Sequence, residues 1–83
     1  MGISNKSKSL EQIIRERLKE ARIEAGFASA KIFSDKKELK VSTYALHESG
    51  MRGMALRVIE KYANLLNLER NWLLTGLGPK YKS

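Results

Sequence analysis

Apolar residues recur along this chain at helical spacing. Leu10, Ile13, Ile14, Leu18, Ala21 and Ala25 form one stripe, the i, i+3, i+4 pattern of a helix with a single buried face. Ser9 precedes the stripe, and Gln12 follows Ser9 by three positions. This is a capping box, in which side chains satisfy amide donors that the first helical turn leaves open. Gly26 stands where a left-handed residue ends a helix, so the spacing predicts a first helix over 10–25. Ser29 can cap a second, short helix from Ala30 to about Lys37, with Ile32 and Phe33 as its apolar residues. A third segment runs from Ser42 to Ser49 and closes at Gly50; it brings Tyr44, His47 and the aliphatic part of Glu48 to one side. Ala55, Val58, Ile59, Tyr62, Ala63 and Leu66 mark a fourth helix ending near Asn67. Glu69 to Leu74 reads as a fifth with Trp72 and Leu73 facing in, and Gly76, Gly78 and Pro79 forbid its continuation. No segment alternates with period two. The pattern predicts an all-α domain of five short helices over 10–76. It lies between two basic arms, 1–9 and 77–83, expected to be disordered in isolation.

Composition narrows the chemistry. The chain has 83 residues, no cysteine and one histidine. Without cysteine there is no disulfide, thiolate nucleophile or thiolate-bound metal. A lone His47 and a lone Asp35 leave no material for a histidine-rich metal site or a Ser-His-Asp triad. His47 reads as a packed or hydrogen-bonded residue at the core edge, and Phe27, Phe33, Tyr44, Tyr62 and Trp72 read as packing rather than as stacking platforms. No cofactor and no enzymatic activity are expected. The apolar runs are too short to span a bilayer. The lysines of 1–10 precede no apolar stretch of a secretory signal, so the cytoplasm is the expected compartment.

Charge adds a partner. Sixteen Lys+Arg face nine Asp+Glu, a formal net charge of +7, which points to a polyanion, nucleic acid first. The surplus is uneven. The first helix and the 59–76 region are balanced, whereas both arms (Lys6, Lys8, Lys80, Lys82) and the segment around Lys31, Lys36, Lys37 and Lys40 are basic.

The order of these features resembles the lambda-like phage-repressor type of helix-turn-helix domain. The residues carrying the resemblance are Arg22 and Gly26, Ser29-Ala30, Ser42-Thr43-Tyr44, His47-Glu48-Ser49-Gly50, Arg52-Gly53, Tyr62-Ala63 and Trp72-Leu73-Leu74-Thr75-Gly76. The resemblance covers about residues 10–79. No single motif in it is specific; the ordered set is. It implies that the third helix enters the major groove while the second supports it. Val41, Ser42, Ala45 and Leu46 would then face bases, and Ser29, Ala30, Lys31, Lys40, Ser49 and Arg52 would meet phosphates. It further implies a structural ion pair between Arg22 and Glu48. The function it implies is a transcriptional regulator, a repressor, binding double-stranded operator DNA as a homodimer. The dimer contact would lie around Met54–Leu56 and Trp72–Leu77, with Leu68, Leu74 and Leu77 supplying its apolar patch.

Three residues depart from the family pattern. Ser34 stands where a small alanine is usual, Lys37 where an apolar residue packs, and Glu38 where a glycine makes the turn. The groove-facing set also departs, because no Arg, Lys, Asn or Gln is present there to bond a purine edge bidentately. Two readings stay open. In the favoured one, recognition is led by DNA shape and thymine methyls while phosphates carry affinity. In the other, specific binding is lost and the domain grips a protein partner, as an antitoxin or anti-repressor would.

Overall fold

The computed structural model describes residues 8–83 and contains five α-helices and no strand among them. They are α1 (Leu10–Glu24), α2 (Ala30–Lys36), α3 (Val41–Ser49), α4 (Leu56–Leu65) and α5 (Arg70–Thr75). Residues 1–7, which include Lys6 of the N-terminal arm, lie outside the described residues.

The expected caps form. The Ser9 hydroxyl accepts from the Gln12 amide at 3.1 Å, and the Ser29 hydroxyl accepts from the Ile32 amide at 3.1 Å. At Gly26 the chain turns left-handed (φ 100°), and the Phe27 amide closes back on the Arg22 carbonyl at 3.1 Å. One boundary differs in chemistry from the expectation. Helix α3 begins at Val41 with Lys40 as its N-cap residue, and no side chain caps it. Ser42 is therefore inside the first turn instead of opening it.

The α2–α3 turn is tight despite its residues. Lys37, Glu38 and Leu39 make it, and Glu38 takes a left-handed conformation (φ 58°) where a glycine would be unstrained. The Leu39 amide bonds the Ser34 carbonyl at 2.8 Å, which ends α2. Leu39 packs on the core in place of an apolar residue at 37. Lys37 lays its ammonium 5.6 Å from the Phe27 ring centroid.

Packing follows the stripes. Helix α1 lies against α3 and α5, α2 against α3, and α4 against α5. Ile14, Leu18 and Ala21 of α1 meet Phe33, Tyr44, Ile59, Tyr62, Ala63, Leu66, Leu68 and Leu73 in one core. Each large apolar side chain so buried contributes roughly 1.5–3 kcal/mol. A run of aromatic edges threads this core: Phe27–Phe33 at 5.2 Å, Phe33–Tyr44 at 4.9 Å and Tyr44–Tyr62 at 5.0 Å between centroids. The expected packing role of these rings is what the structure shows.

The C-terminal tail departs from the expectation of a disordered arm. It is docked. The Glu69 amide bonds the Lys80 carbonyl at 2.8 Å and the Lys82 amide bonds the Asn67 carbonyl at 3.0 Å, a short antiparallel pairing centred on Leu68 and Tyr81. The Lys80 ammonium pairs with Glu24 at the end of α1 and lies 4.8 Å from the Trp72 ring centroid. The Tyr81 hydroxyl donates to the same Glu24 carboxylate at 2.6 Å. Together the two donors hold that carboxyl below its ordinary range, Lys80 most strongly.

One polar group sits badly. Ser34 is fully buried and its hydroxyl has no hydrogen-bond partner, which costs about 1–3 kcal/mol of desolvation. Ser34→Ala should raise the unfolding free energy in urea by about 1 kcal/mol; a destabilised variant would show that the hydroxyl contributes to the fold.

Candidate functional site

Helix α3 and the segments at its two ends are the focus of the residues singled out above. Its inward side is fully committed. Tyr44 and His47 are buried, and Glu48 is gripped by Arg22. The Arg22 Nε donates to one Glu48 oxygen at 2.8 Å and its Nη2 donates to the other at 3.1 Å, a two-pronged contact. The remaining Nη1 donates to the Phe27 carbonyl at 2.6 Å. The Tyr44 hydroxyl donates to Glu48 at 2.5 Å from one turn back on α3. Arg22 is only 3 % exposed and the Glu48 side chain 12 %, so water screens the pair little. The Glu48 hydrogen bonds hold the Arg22 guanidinium further toward its charged form, against the opposing effect of burial. Burial, and then the Glu48 carboxylate, push the Tyr44 phenol well above its usual range.

His47 is the second anchor. Its Nδ1 lies 2.7 Å from the Tyr62 hydroxyl on α4, and the residue is 7 % exposed. Burial, and then the nearby Arg52 charge, lower its pKa from the ordinary value.

The C-terminus of α3 is sealed from α1. Gly50 is left-handed (φ 88°), and a methyl group there would lie 2.6 Å from the Arg15 guanidinium carbon. Helix α5 ends the same way. The Arg17 guanidinium donates to the Leu73 and Leu74 carbonyls at 3.1 and 3.2 Å and covers Gly76. These two arginines had no signal in the sequence, because their partners are the ends of helices distant along the chain.

With the inner side occupied, α3 turns Ser42, Ala45, Leu46 and Ser49 outward. Ser42 and Ser49 are exposed, Ala45, Leu46 and Val41 half-buried. That outer side carries no charge and no amide side chain. The nine residues of α3 span about 13 Å, and an exposed cation stands at each end, Lys40 before and Arg52 after. Among the described residues neither is in an ion pair with a carboxylate. The Arg52 amide bonds the Leu46 carbonyl at 3.1 Å, which holds the 50–53 loop on the helix end.

The other expected phosphate contacts are less free. Lys31 is bridged to Asp35 at 2.8 Å. The Ser29 hydroxyl is used in its cap, and Ala30 is half-buried beside it. The Ser49 hydroxyl donates to the Leu46 carbonyl at 3.2 Å and accepts from the Met51 amide at 3.4 Å. Lys80 and Lys82 are engaged by Glu24 and Asn64, and Lys8 by Glu16, so these arm cations have contacts within the fold.

The patch expected for dimer contact changes in one member. Leu68 is completely buried and cannot supply it; the antiparallel pairing with Tyr81 covers that segment. Leu77 is 70 % exposed, Leu56 55 %, and Leu74 is half-buried. Leu56 and Leu74 line an open cleft of about 470 Å³ beside α4 and α5, together with the exposed Glu60–Arg70 pair. Among the described residues no cluster of side chains could hold a metal ion, and no helix is long and apolar enough to cross a membrane.

No protein-family model, curated protein or solved structure matches the chain.

Two outcomes test the inner side of α3. Glu48→Ala should lower the unfolding free energy by about 2–4 kcal/mol, since it strands a buried guanidinium; an unchanged thermal melt would contradict the role given to the pair. His47 has its pKa lowered in the fold, so the folded state binds its proton less readily than the unfolded chain. Its contribution to stability is complete above about pH 6.5 and is lost as pH falls below that value toward the folded pKa. Melting temperature should therefore fall between about pH 7 and about pH 5, and His47→Gln should flatten that slope. An identical slope in the variant would assign the titration elsewhere.

Proposed function

We propose that this protein is a DNA-binding transcriptional regulator of the lambda-like phage-repressor type, a repressor that binds double-stranded operator DNA as a homodimer. In this reading α2 and α3 form the helix-turn-helix, and α3 lies in the major groove. The observation that carries it is the surface of α3: a helix fixed from behind by Arg22, with an uncharged outer side between two exposed cations, Lys40 and Arg52. An α-helix with such an edge fits a groove about 12 Å wide, and the cations at its ends fit the phosphate ridges on either side.

Dimerisation follows from the mode, since one short helix reads few base pairs and half-sites one helical turn apart need two copies. Leu56, Leu74 and Leu77 supply the apolar surface for it. A second reading is a protein-interaction module, an antitoxin or anti-repressor. It is favoured by a single observation, the absence of any Arg, Lys, Asn or Gln on the outer side of α3.

Duplex binding measured against salt separates the two. The DNA reading requires affinity that falls steeply, with a log–log slope of about 0.9 per phosphate neutralised. Combining Lys40→Ala with Arg52→Ala should weaken binding to all duplexes and make the slope shallower by about 2. Absence of duplex binding at about 50 mM salt would leave the protein-partner reading in possession.

A further inference from the structure

The outer side of α3 has a chemical character that narrows what it can recognise. Ala45 and Leu46 present aliphatic carbon there, half-buried Val41 adds more at the first turn, half-buried Thr43 carries a methyl beside its hydroxyl, and Ser42 presents only a hydroxyl. A hydroxyl both donates and accepts, so by itself it distinguishes no base edge. The Ser49 hydroxyl is consumed in the turn at the helix end. The three titratable side chains of α3, Tyr44, His47 and Glu48, are held inward: His47 by Tyr62, Glu48 by Arg22, and Tyr44 by its bond to Glu48. Nothing on this surface can form the paired hydrogen bonds that identify guanine or adenine.

One group in the major groove is apolar and varies with sequence. It is the methyl on pyrimidine C5, present on thymine and absent from cytosine. An aliphatic helix surface gains by covering such a methyl and gains nothing from the polar edge of a G·C pair, whose desolvation it cannot repay. Lys40 and Arg52 bracket the aliphatic stretch and are unpaired with carboxylates among the described residues. Their charge complements a partner that is anionic at its margins and apolar at its centre, as a methyl-bearing groove is.

We propose that α3 is a C5-methyl reader: Val41, Ala45 and Leu46 cover pyrimidine C5-methyl groups in the major groove of duplex DNA. Thymine is then preferred to uracil, and 5-methylcytosine to unmethylated cytosine, by the same methyl. The inference rests on the DNA-binding reading above, and it adds a ligand class, DNA carrying 5-methylcytosine, to the thymine-bearing sites. Burial of one methyl is worth about a fourfold change in affinity.

The test uses four alternating duplex polymers in two pairs that differ only in the C5-methyl. The first pair is poly(dA–dT) against poly(dA–dU), and the second is poly(dG–5-methyl-dC) against poly(dG–dC). Binding of the full chain at low salt is followed by the fluorescence of Trp72 or by competition for a labelled duplex. The methylated member of each pair should bind about fourfold tighter or more. Leu46→Ala, with its melt checked, should bring both ratios toward one while binding to the unmethylated polymers persists. Equal affinity within both pairs, with all four bound, would overturn the methyl reading and leave DNA binding intact. A preference in the dA–dT pair alone would also overturn it, since the same methyl on cytosine would then count for nothing. Binding to none of the four would overturn both readings together.

Discussion

The contact between Arg22 and Glu48 is the constraint on which the rest of the structure depends. It joins the last turn of α1 to the last turn of α3, and through the Phe27 carbonyl it also fixes the chain leaving α1. All five donors of a guanidinium cannot be satisfied by one carboxylate. Here the carboxylate takes two, a carbonyl takes a third, and the Tyr44 hydroxyl adds a further bond to Glu48 from the side. A buried pair in which each guanidinium nitrogen has a partner offsets much of its desolvation, whereas removal of either partner strands a charge. Its consequence is orientational. With Glu48 drawn in, Tyr44 and His47 must follow, and only the uncharged side of α3 remains for solvent or a partner.

Helix α1 acts as the hub of this arrangement. Arg15 covers the end of α3, Arg17 holds the end of α5, Arg22 holds α3, and Glu24 holds the C-terminal tail. Cations placed at the carboxyl ends of α3 and α5 also meet the negative ends of those helices. Several of the chain's cations are therefore structural. Lys8, Lys31, Arg70 and Lys80 sit in ion pairs as well. The net charge describes the chain, but the cations left free beside α3 describe its surface, and those are few.

The helices and the core were legible in the sequence because periodicity reports burial directly. Ser9, Ser29, Gly26 and Gly50 marked ends by the backbone chemistry of caps, and the Arg22–Glu48 pair was implied by the resemblance to the phage-repressor type of domain. What stayed hidden was whatever depends on contact between distant segments. The docking of 77–83 rests on backbone pairing over three residues, from Asn67 to Glu69, too short to leave a period. Leu68 read as available for a partner because a lone leucine between Asn67 and Glu69 carries no sign of what covers it. Glu38 accepted a left-handed turn against its preference because Leu39 and Ser34 close the junction around it. The groove-facing set on α3 came from the resemblance, and its aliphatic character is visible in the residues themselves; what could not be read was which of the surrounding cations the fold would engage.

The most direct measurement of the central idea is a residue-by-residue map of contact. Backbone amide shifts of the labelled chain should be recorded during titration with a duplex. Changes should concentrate on Ser29–Ala30, Lys40–Leu46 and Gly50–Gly53, with the Arg22 side-chain resonance unmoved because its bonds to Glu48 persist. Changes confined to the cleft beside α4 and α5, or spread over α1 with α3 silent, would contradict the assignment of α3 as the recognition surface.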